Sequence, residues 1–308
     1  MIMEKFVEKE RACQRAFENR GPFWHLFTSG KETPMMFREA SDFEFVMNVI
    51  AQTAYGLSEL CILAFTIMDN HIHIVAASSE SVLADGFGYI RRRLSRDCSL
   101  RNRVPLPSGF RAQYKMIDSL QALRATIAYV HRNGYVAHSA YTPFSYPWGT
   151  GPYYFGFPVV PQKTFGELSK LDKRKIFRGR TPALPADWQI VDGHICPQAY
   201  CAIEAGRSMF RDARQYFAML TKNVESYAEL AAELDDRDYL TDAEIFSQMT
   251  WYVKKLYGVA SLKELSRAQT FDIARKMHNE CRSSNGQIRR VLNLTQYEVD
   301  TLFPSLQK

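Results

Sequence analysis

Two histidines one residue apart, His71 and His73, stand in the alternating run His71-Ile72-His73-Ile74-Val75. Successive side chains of a strand point to opposite faces, so both imidazoles share one face while Ile72 and Ile74 face the core. Two imidazoles so placed can share a divalent metal. An isolated His-x-His is more often a pair of half-exposed edge-strand histidines. Here the apolar run Leu60 to Met68 before it and the Asp69-Asn70 turn make a rigid platform for ligands. A second pair, Tyr129 and Asn133, lies one turn apart on a helix whose apolar face is Leu120, Leu123, Ile127 and Val130. Core packing on that face does not explain Tyr129. Read alone it is an exposed tyrosine; beside a metal strand, its oxygen can attack a phosphate and the Asn133 amide can complete a coordination shell.

The elements that must position these residues follow from pattern. Residues 1–20 read as a charged helix, Pro22 to Thr28 as an aromatic-rich strand, and Ser41-Asp42-Phe43-Glu44 as a capping box opening a helix that ends at Gly56. Leu60–Met68 suits a central strand buried on both faces. His71–Val75 follows as its hairpin partner, Ser81–Leu100 as a helix, Gly109–Met116 as a strand and Leu120–Asn133 as a helix with Gly134 at its C′ position. This order predicts an α+β sandwich, an antiparallel sheet with helices on one face. Beyond it, Tyr135 to Ile190 is rich in Pro and Gly. From Pro197 the helical period dominates, with helices expected over 199–221, 224–234, 242–257 and 261–281, so the C-terminal region is mostly α-helical.

The stretch Met68-Asp69-Asn70-His71-Ile72-His73-Ile74-Val75 resembles the His-hydrophobic-His signature of the HUH transposases, in particular the REP-associated tyrosine transposases. Tyr129-Val130-His131-Arg132-Asn133 resembles the tyrosine helix of that family, Tyr146-Pro147-Trp148 the Tyr-Pro-Trp that follows it, and Phe23-Trp24-His25-Leu26-Phe27 its opening strand. The likeness spans roughly residues 21–155, with three motifs in order. Gly134 stands where the family usually has Pro, and Gly149-Thr150 where Ser-Ser is common. The resemblance implies a ferredoxin-like, RRM-like domain and a metal-dependent nuclease that cuts and rejoins single-stranded DNA beside a hairpin. It implies His71, His73 and Asn133 as ligands of Mg²⁺ or Mn²⁺, and Tyr129 as the nucleophile that forms a 5′-phosphotyrosine. A catalytically inactive or domesticated regulator binding hairpin DNA on the same fold is the alternative. An amidohydrolase-like metal hydrolase lacks its downstream histidine cluster. His25 reads as a satisfied core histidine, His131 as structural, and Tyr135 as the second choice of nucleophile.

The chain of 308 residues carries 39 Lys and Arg against 33 Asp and Glu, a net charge of +6 that selects no partner class. Its distribution says more. Tyr89 to Arg132 holds ten basic residues against Asp97 and Asp118, and Lys254 to Arg290 holds nine against three acids. Such zones point to a polyanion, or to solvated helix faces. With the site beside them, Arg91, Arg92, Arg93, Arg96 and Arg132 are expected to contact DNA phosphates. Residues 286–303 have helix-turn-helix spacing, with Arg289 and Arg290 as further DNA contacts; a plain helical hairpin fits equally. The expected organisation is an N-terminal helical extension (1–20), the tyrosine transposase domain (21–155), a linker (156–190) and a helical domain (191–308). Six scattered cysteines without C-x-x-C spacing, and no leader pattern at the start, point to reduced thiols in a cytoplasmic protein, and the resemblance implies a monomer or homodimer. The uncharged run 133–162 is broken by Pro and Gly, so no membrane span is expected.

Overall fold

The computed structural model describes the chain apart from residues 1, 31, 103–104, 138–140, 143–144, 157–159, 223–239, 241, 282, 284 and 304–308. Helix α1 (Ile2–Glu18) precedes a βαββαβ unit made of β1 (Phe23–Thr28), α2 (Ala40–Gly56), β2 (Cys61–Ile67), β3 (Ile72–Ala77), α3 (Glu80–Asp97) and β4 (Ala112–Ile117). Helix α4 (Leu120–Ala137) follows. The sheet is antiparallel throughout, in the order β2-β3-β1-β4, which is the ferredoxin-like arrangement. All six residues of β3 are buried, because the strand is central and covered on both faces. Phe27 pairs with His73 and His25 with Val75, so His25, Phe27 and His73 share one face.

Local signals differ from expectation in three places. The N-cap of α2 is Glu39, not Ser41, because the Asp42 carboxylate accepts from the amides of Arg38 (3.1 Å) and Glu39 (3.3 Å). Helix α3 starts at Glu80, one residue before the expected Ser81, with Ser79 as its N-cap, and passes into a π-helical turn over Cys98–Asn102. Helix α4 does not stop at Gly134. Tyr146 lies across that residue with its ring where a β-carbon would sit and donates its hydroxyl to the carbonyl of Ile67 (2.6 Å), so glycine there admits a ring rather than ending a helix.

Residues 156–190, expected as a linker, carry β5 (Lys163–Thr164), α6 (Lys170–Ile176) and the start of β6 (Gln189–Val191), which pairs with β7 (His194–Ile195). Their core is Phe165, Phe177, Ile190 and Ile195 packed with Ala51 of α2. Asn48 of α2 clamps this layer, donating to the carbonyl of Gly193 (3.2 Å) and accepting from the amide of Ile195 (2.9 Å). Helices α5 (Gly151–Phe155), α7 (Ile203–Arg207) and α8 (Ala213–Lys222) complete this unit, the expected helix over 199–221 being broken at 208–212. The unit contains chiefly residues 1–229, and α1 belongs to it.

The second unit, chiefly residues 230–308, is helical: α9 (Asp242–Tyr257), α10 (Arg267–Asn279), α11 (Asn285–Leu292) and α12 (Gln296–Leu302). Ile245, Met249, Val253, Ile273, Met277, Ile288 and Val299 form its core. Asn293 adopts φ 52° and the Leu294 amide donates to the Arg289 carbonyl (3.0 Å), a left-handed stop to α11. Thr295 then caps α12 with Glu298. The expected helix over 224–234 lies outside the described residues. No described helix is long and apolar enough to cross a membrane, and all six cysteines are free thiols.

Candidate functional site

The turn into β3 fixes the first histidine. Asn70 donates its amide to the carbonyls of Gly30 (2.8 Å) and Thr33 (2.6 Å), which leaves its oxygen toward His71 Nδ1 at 2.7 Å. An oxygen there requires His71 Nδ1 to carry the proton, so the lone pair sits on Nε2. Gly30 makes this approach feasible, since a β-carbon on it would come 2.8 Å from His71 Nδ1. His73 is held from the neighbouring strand, with His25 Nε2 3.1 Å from His73 Nδ1. On its other side the Asn133 amide nitrogen lies 3.4 Å from His73 Nε2. A proton on His73 Nδ1, donated to His25, leaves the Nε2 lone pair toward Asn133.

Helix α4 closes the cluster. The Tyr129 ring stands 5.7 Å from the His73 ring at 89°, and His71 and His73 are 4.9 Å apart at 83°. His71 and His73 are 0 % exposed, and Tyr129 and Asn133 2 %. Tyr129 is therefore not the exposed tyrosine that its place on the helix, read alone, would suggest. Every residue from Thr126 to Gly134 is buried, because the sheet's histidine face covers one side of α4 while residues 146–155 and α8 cover another. His131 is part of that second contact: Nδ1 lies 2.8 Å from the Tyr216 hydroxyl and Nε2 2.8 Å from Thr150 Oγ1. Burial pushes its pKa down to about 3, so it is neutral and structural. Tyr135 donates its hydroxyl to the Leu220 carbonyl (3.1 Å).

The donor set partly suits a divalent ion. His71 has its Nδ1 anchored by Asn70 and its Nε2 lone pair set for coordination, the arrangement metal-bound histidines use, and His73 matches it in the tautomer that donates Nδ1–H to His25. Charge is the weak point. Among the described residues no group of three or more His, Cys, Asp or Glu is placed to hold a metal, and the donors here are all neutral. Such a set suits an ion whose charge is balanced by a phosphate oxygen of the substrate. His71, His73 and Asn133 would then hold it, and when bound it would supply Lewis acidity to that phosphate.

The arginines expected to contact DNA divide. Arg132 is 3 % exposed, and Arg124 is 2 % exposed and bonded to Glu10, so part of the basic zone is interior. Arg91 donates to the Phe110 carbonyl (3.3 Å) and Arg93 to that of Phe177 (2.7 Å). Arg92 and Arg96 are exposed. In the helical unit Arg289 is exposed, while Arg290 forms a two-bond pair with Asp242 (2.6 and 3.1 Å). Asn70 and His25 escaped sequence reading as site residues. The signal for His25 was its shared parity with Phe23 and Phe27, usable only once β1 was known to pair with β3.

No protein-family description matches this chain, and no curated protein matches it. Among solved structures, that of a REP-associated tyrosine transposase bound to a REP hairpin aligns at 14 % identity, over 56 % of this chain and 94 % of that one, with a TM-score of 0.35. A likeness this distant transfers no residue role.

Proposed function

We propose that the chain is a metal-dependent single-stranded DNA nuclease and strand-transferase that acts beside hairpins through Tyr129. The observation that carries this reading is the convergence of His73, Asn133 and Tyr129, from two motifs far apart in sequence, on one face of the central strand. In the proposed reaction the Tyr129 oxygen forms a bond to the scissile phosphorus as the bond to the 3′ oxygen breaks. The phenol proton leaves, the 3′ oxygen takes one up, and a 5′-phosphotyrosine remains. The covalent bond conserves the phosphodiester, so a 3′ hydroxyl can reverse the step and rejoin strands; hydrolysis by water would not allow that.

Burial of Tyr129 adds a requirement: α4 or the residues over it must open before a strand can reach the phenol. The same burial, with the uncharged donor set, favours a second reading, a regulator that binds hairpin DNA without cutting it. Labelled hairpin-bearing single-stranded DNA, incubated with the protein and Mn²⁺ or Mg²⁺, separates the two. The nuclease reading expects a denaturation-resistant protein–DNA adduct that Tyr129→Phe abolishes. Tight binding with no adduct favours the regulator, and an adduct that survives Tyr129→Phe removes Tyr129 as nucleophile.

A further inference from the structure

Two neighbouring cavities share none of the histidine-site residues. The first, of about 700 Å³, lies between the end of α2, the arginine face of α3 and residues 180–184, and is lined by Arg92, Arg93, Arg96, Arg180, Tyr55 and Tyr89. The second, of about 640 Å³, is lined by Lys170, Lys173 and Arg174 of α6 and shares Arg180 and Thr181 with the first. Together they form a trough in which Asp85 is the one acid among the lining residues.

The arginines of α3 differ in their partners. Arg91 and Arg93 are bonded to main-chain carbonyls, and Arg101 in the following turn pairs with Asp42 (3.2 Å). Arg92, Arg96 and Arg180 make no hydrogen bond or ion pair with a described residue. Arg92 and Arg96 are one turn apart, where like charges repel and weaken a helix. Intramolecular packing thus leaves this clustering of charge unaccounted for; a row of phosphates would offset it. Arg178 makes the convergence. It binds Asp97 (2.7 Å) and Asp42 (2.9 Å), drawing α6 and residues 179–184 onto α3.

The lining also favours a single strand over a duplex. Tyr55 is 52 % exposed, in edge contact with Trp188 (5.4 Å), and Tyr89 is half-buried in the same cavity, offering rings on which unpaired bases stack. A duplex keeps its bases stacked and would reach neither ring.

We propose that this α3–α6 trough binds single-stranded DNA, holding a strand by its phosphates on Arg92, Arg96 and Arg180 and by its bases on Tyr55 and Tyr89. Only the choice of DNA over RNA rests on the proposed function; the trough does not need Tyr129. The test is fluorescence anisotropy of a labelled oligo-dT strand, titrated with full-length Tyr129→Phe protein at several salt concentrations. Combined Arg92→Gln, Arg96→Gln and Arg180→Gln substitutions should weaken binding and reduce the slope of log affinity against log salt by about 2, from about 0.7 per phosphate contact for single strands. Lys5→Gln, Lys9→Gln and Arg11→Gln, on the exposed face of α1, should leave that slope unchanged. Tyr55→Ala should lower affinity about fivefold or more. Equal slopes in the two triple variants overturn the proposal, as does tighter binding of duplex DNA or of oligo-U RNA. Should the triple variant lose its thermal transition, Arg180→Gln alone, at an exposed position, carries the test with an expected slope change of about 0.7. Loss of the Tyr129 adduct reading leaves this binding result standing. A failed trough alongside a normal adduct overturns the trough alone.

Discussion

At the scale of single residues, the site consists of side chains whose protonation is set by neighbours or burial. His71 receives its tautomer from Asn70, and His73 its orientation from His25. Two other histidines are held neutral by desolvation, His131 with its pKa pushed down to about 3 and His194 to about 4. In the unfolded chain both titrate near 6.5. Between that value and the folded one, the unfolded state binds a proton that the folded state refuses, so stability is full above pH about 6.5 and falls as pH falls through the window. For His131 the loss from pH 7 to pH 5 is about 2 kcal/mol, from about 1.4 kcal/mol per unit over roughly 1.5 units. Urea denaturation at the two pH values reads it. His131→Gln should be less stable at pH 7, because the Tyr216 and Thr150 hydroxyls lose a partner, yet should lose about 2 kcal/mol less than wild type on acidification. Identical acid losses would sink this reading of His131. His71, His73, Tyr129 and Asn133 were legible in sequence because strand and helix periods alone place them on faces. Asn70 and His25 were not, since their partners depend on which strand and loop come alongside.

At the scale of elements, α4 carries Tyr129 and Asn133 and is buried without a break from Thr126 to Gly134. Its glycine has an unusual energetic sign. A glycine inside a helix normally costs about 1 kcal/mol relative to alanine. Gly134→Ala should instead destabilise the protein by about 1–3 kcal/mol, because the Tyr146 ring occupies the β-carbon's place and its hydroxyl is tied to Ile67. A denaturation midpoint that rises in Gly134→Ala would show that the ring yields freely. Residues 148–150 run beside β2, with the Ile67 amide donating to the Trp148 carbonyl (2.9 Å) and the Thr150 amide to that of Phe65 (3.0 Å). The Tyr146-Pro147-Trp148 motif therefore closes the free edge of the sheet next to the site, and Thr150 joins that edge to His131. Helix α3 was legible as a helix with an arginine face. That Arg91 and Arg93 serve main-chain carbonyls while Arg92 and Arg96 face a cavity was not, because the partners come from residues 110 and 177.

At the scale of the molecule, charge that reads as one basic zone is partitioned by folding. Arg124 is its clearest interior member: 2 % exposed, it donates to both Glu10 oxygens (2.6 and 3.2 Å) and to the Met209 carbonyl, joining α1, α4 and the segment before α8. Glu10 is held below the usual carboxylate range by the Arg124 hydrogen bond, though burial opposes the shift. Arg124→Met should cost about 1–3 kcal/mol in denaturant unfolding, chiefly from the Met209 carbonyl left without its donor, since Glu10 can turn to water. A change below about 0.5 kcal/mol would show that the Met209 carbonyl finds another donor and overturn this reading of Arg124. By itself, the amino-acid sequence determined the order and type of elements through residue 133, the face shared by His71 and His73, the pairing of Tyr129 with Asn133, and the turn between the last two helices. These are properties of period-2 and period-3.6 spacing and of local caps, which act within a few residues. Tertiary structure alone decided that Tyr129 is buried, that His25 and Asn70 hold the histidines, that residues 163–195 form a layer on α2, and that Arg180 meets Arg92 and Arg96. Each of those depends on contacts between residues 40 to 150 positions apart, whose geometry comes from packing rather than from any local pattern.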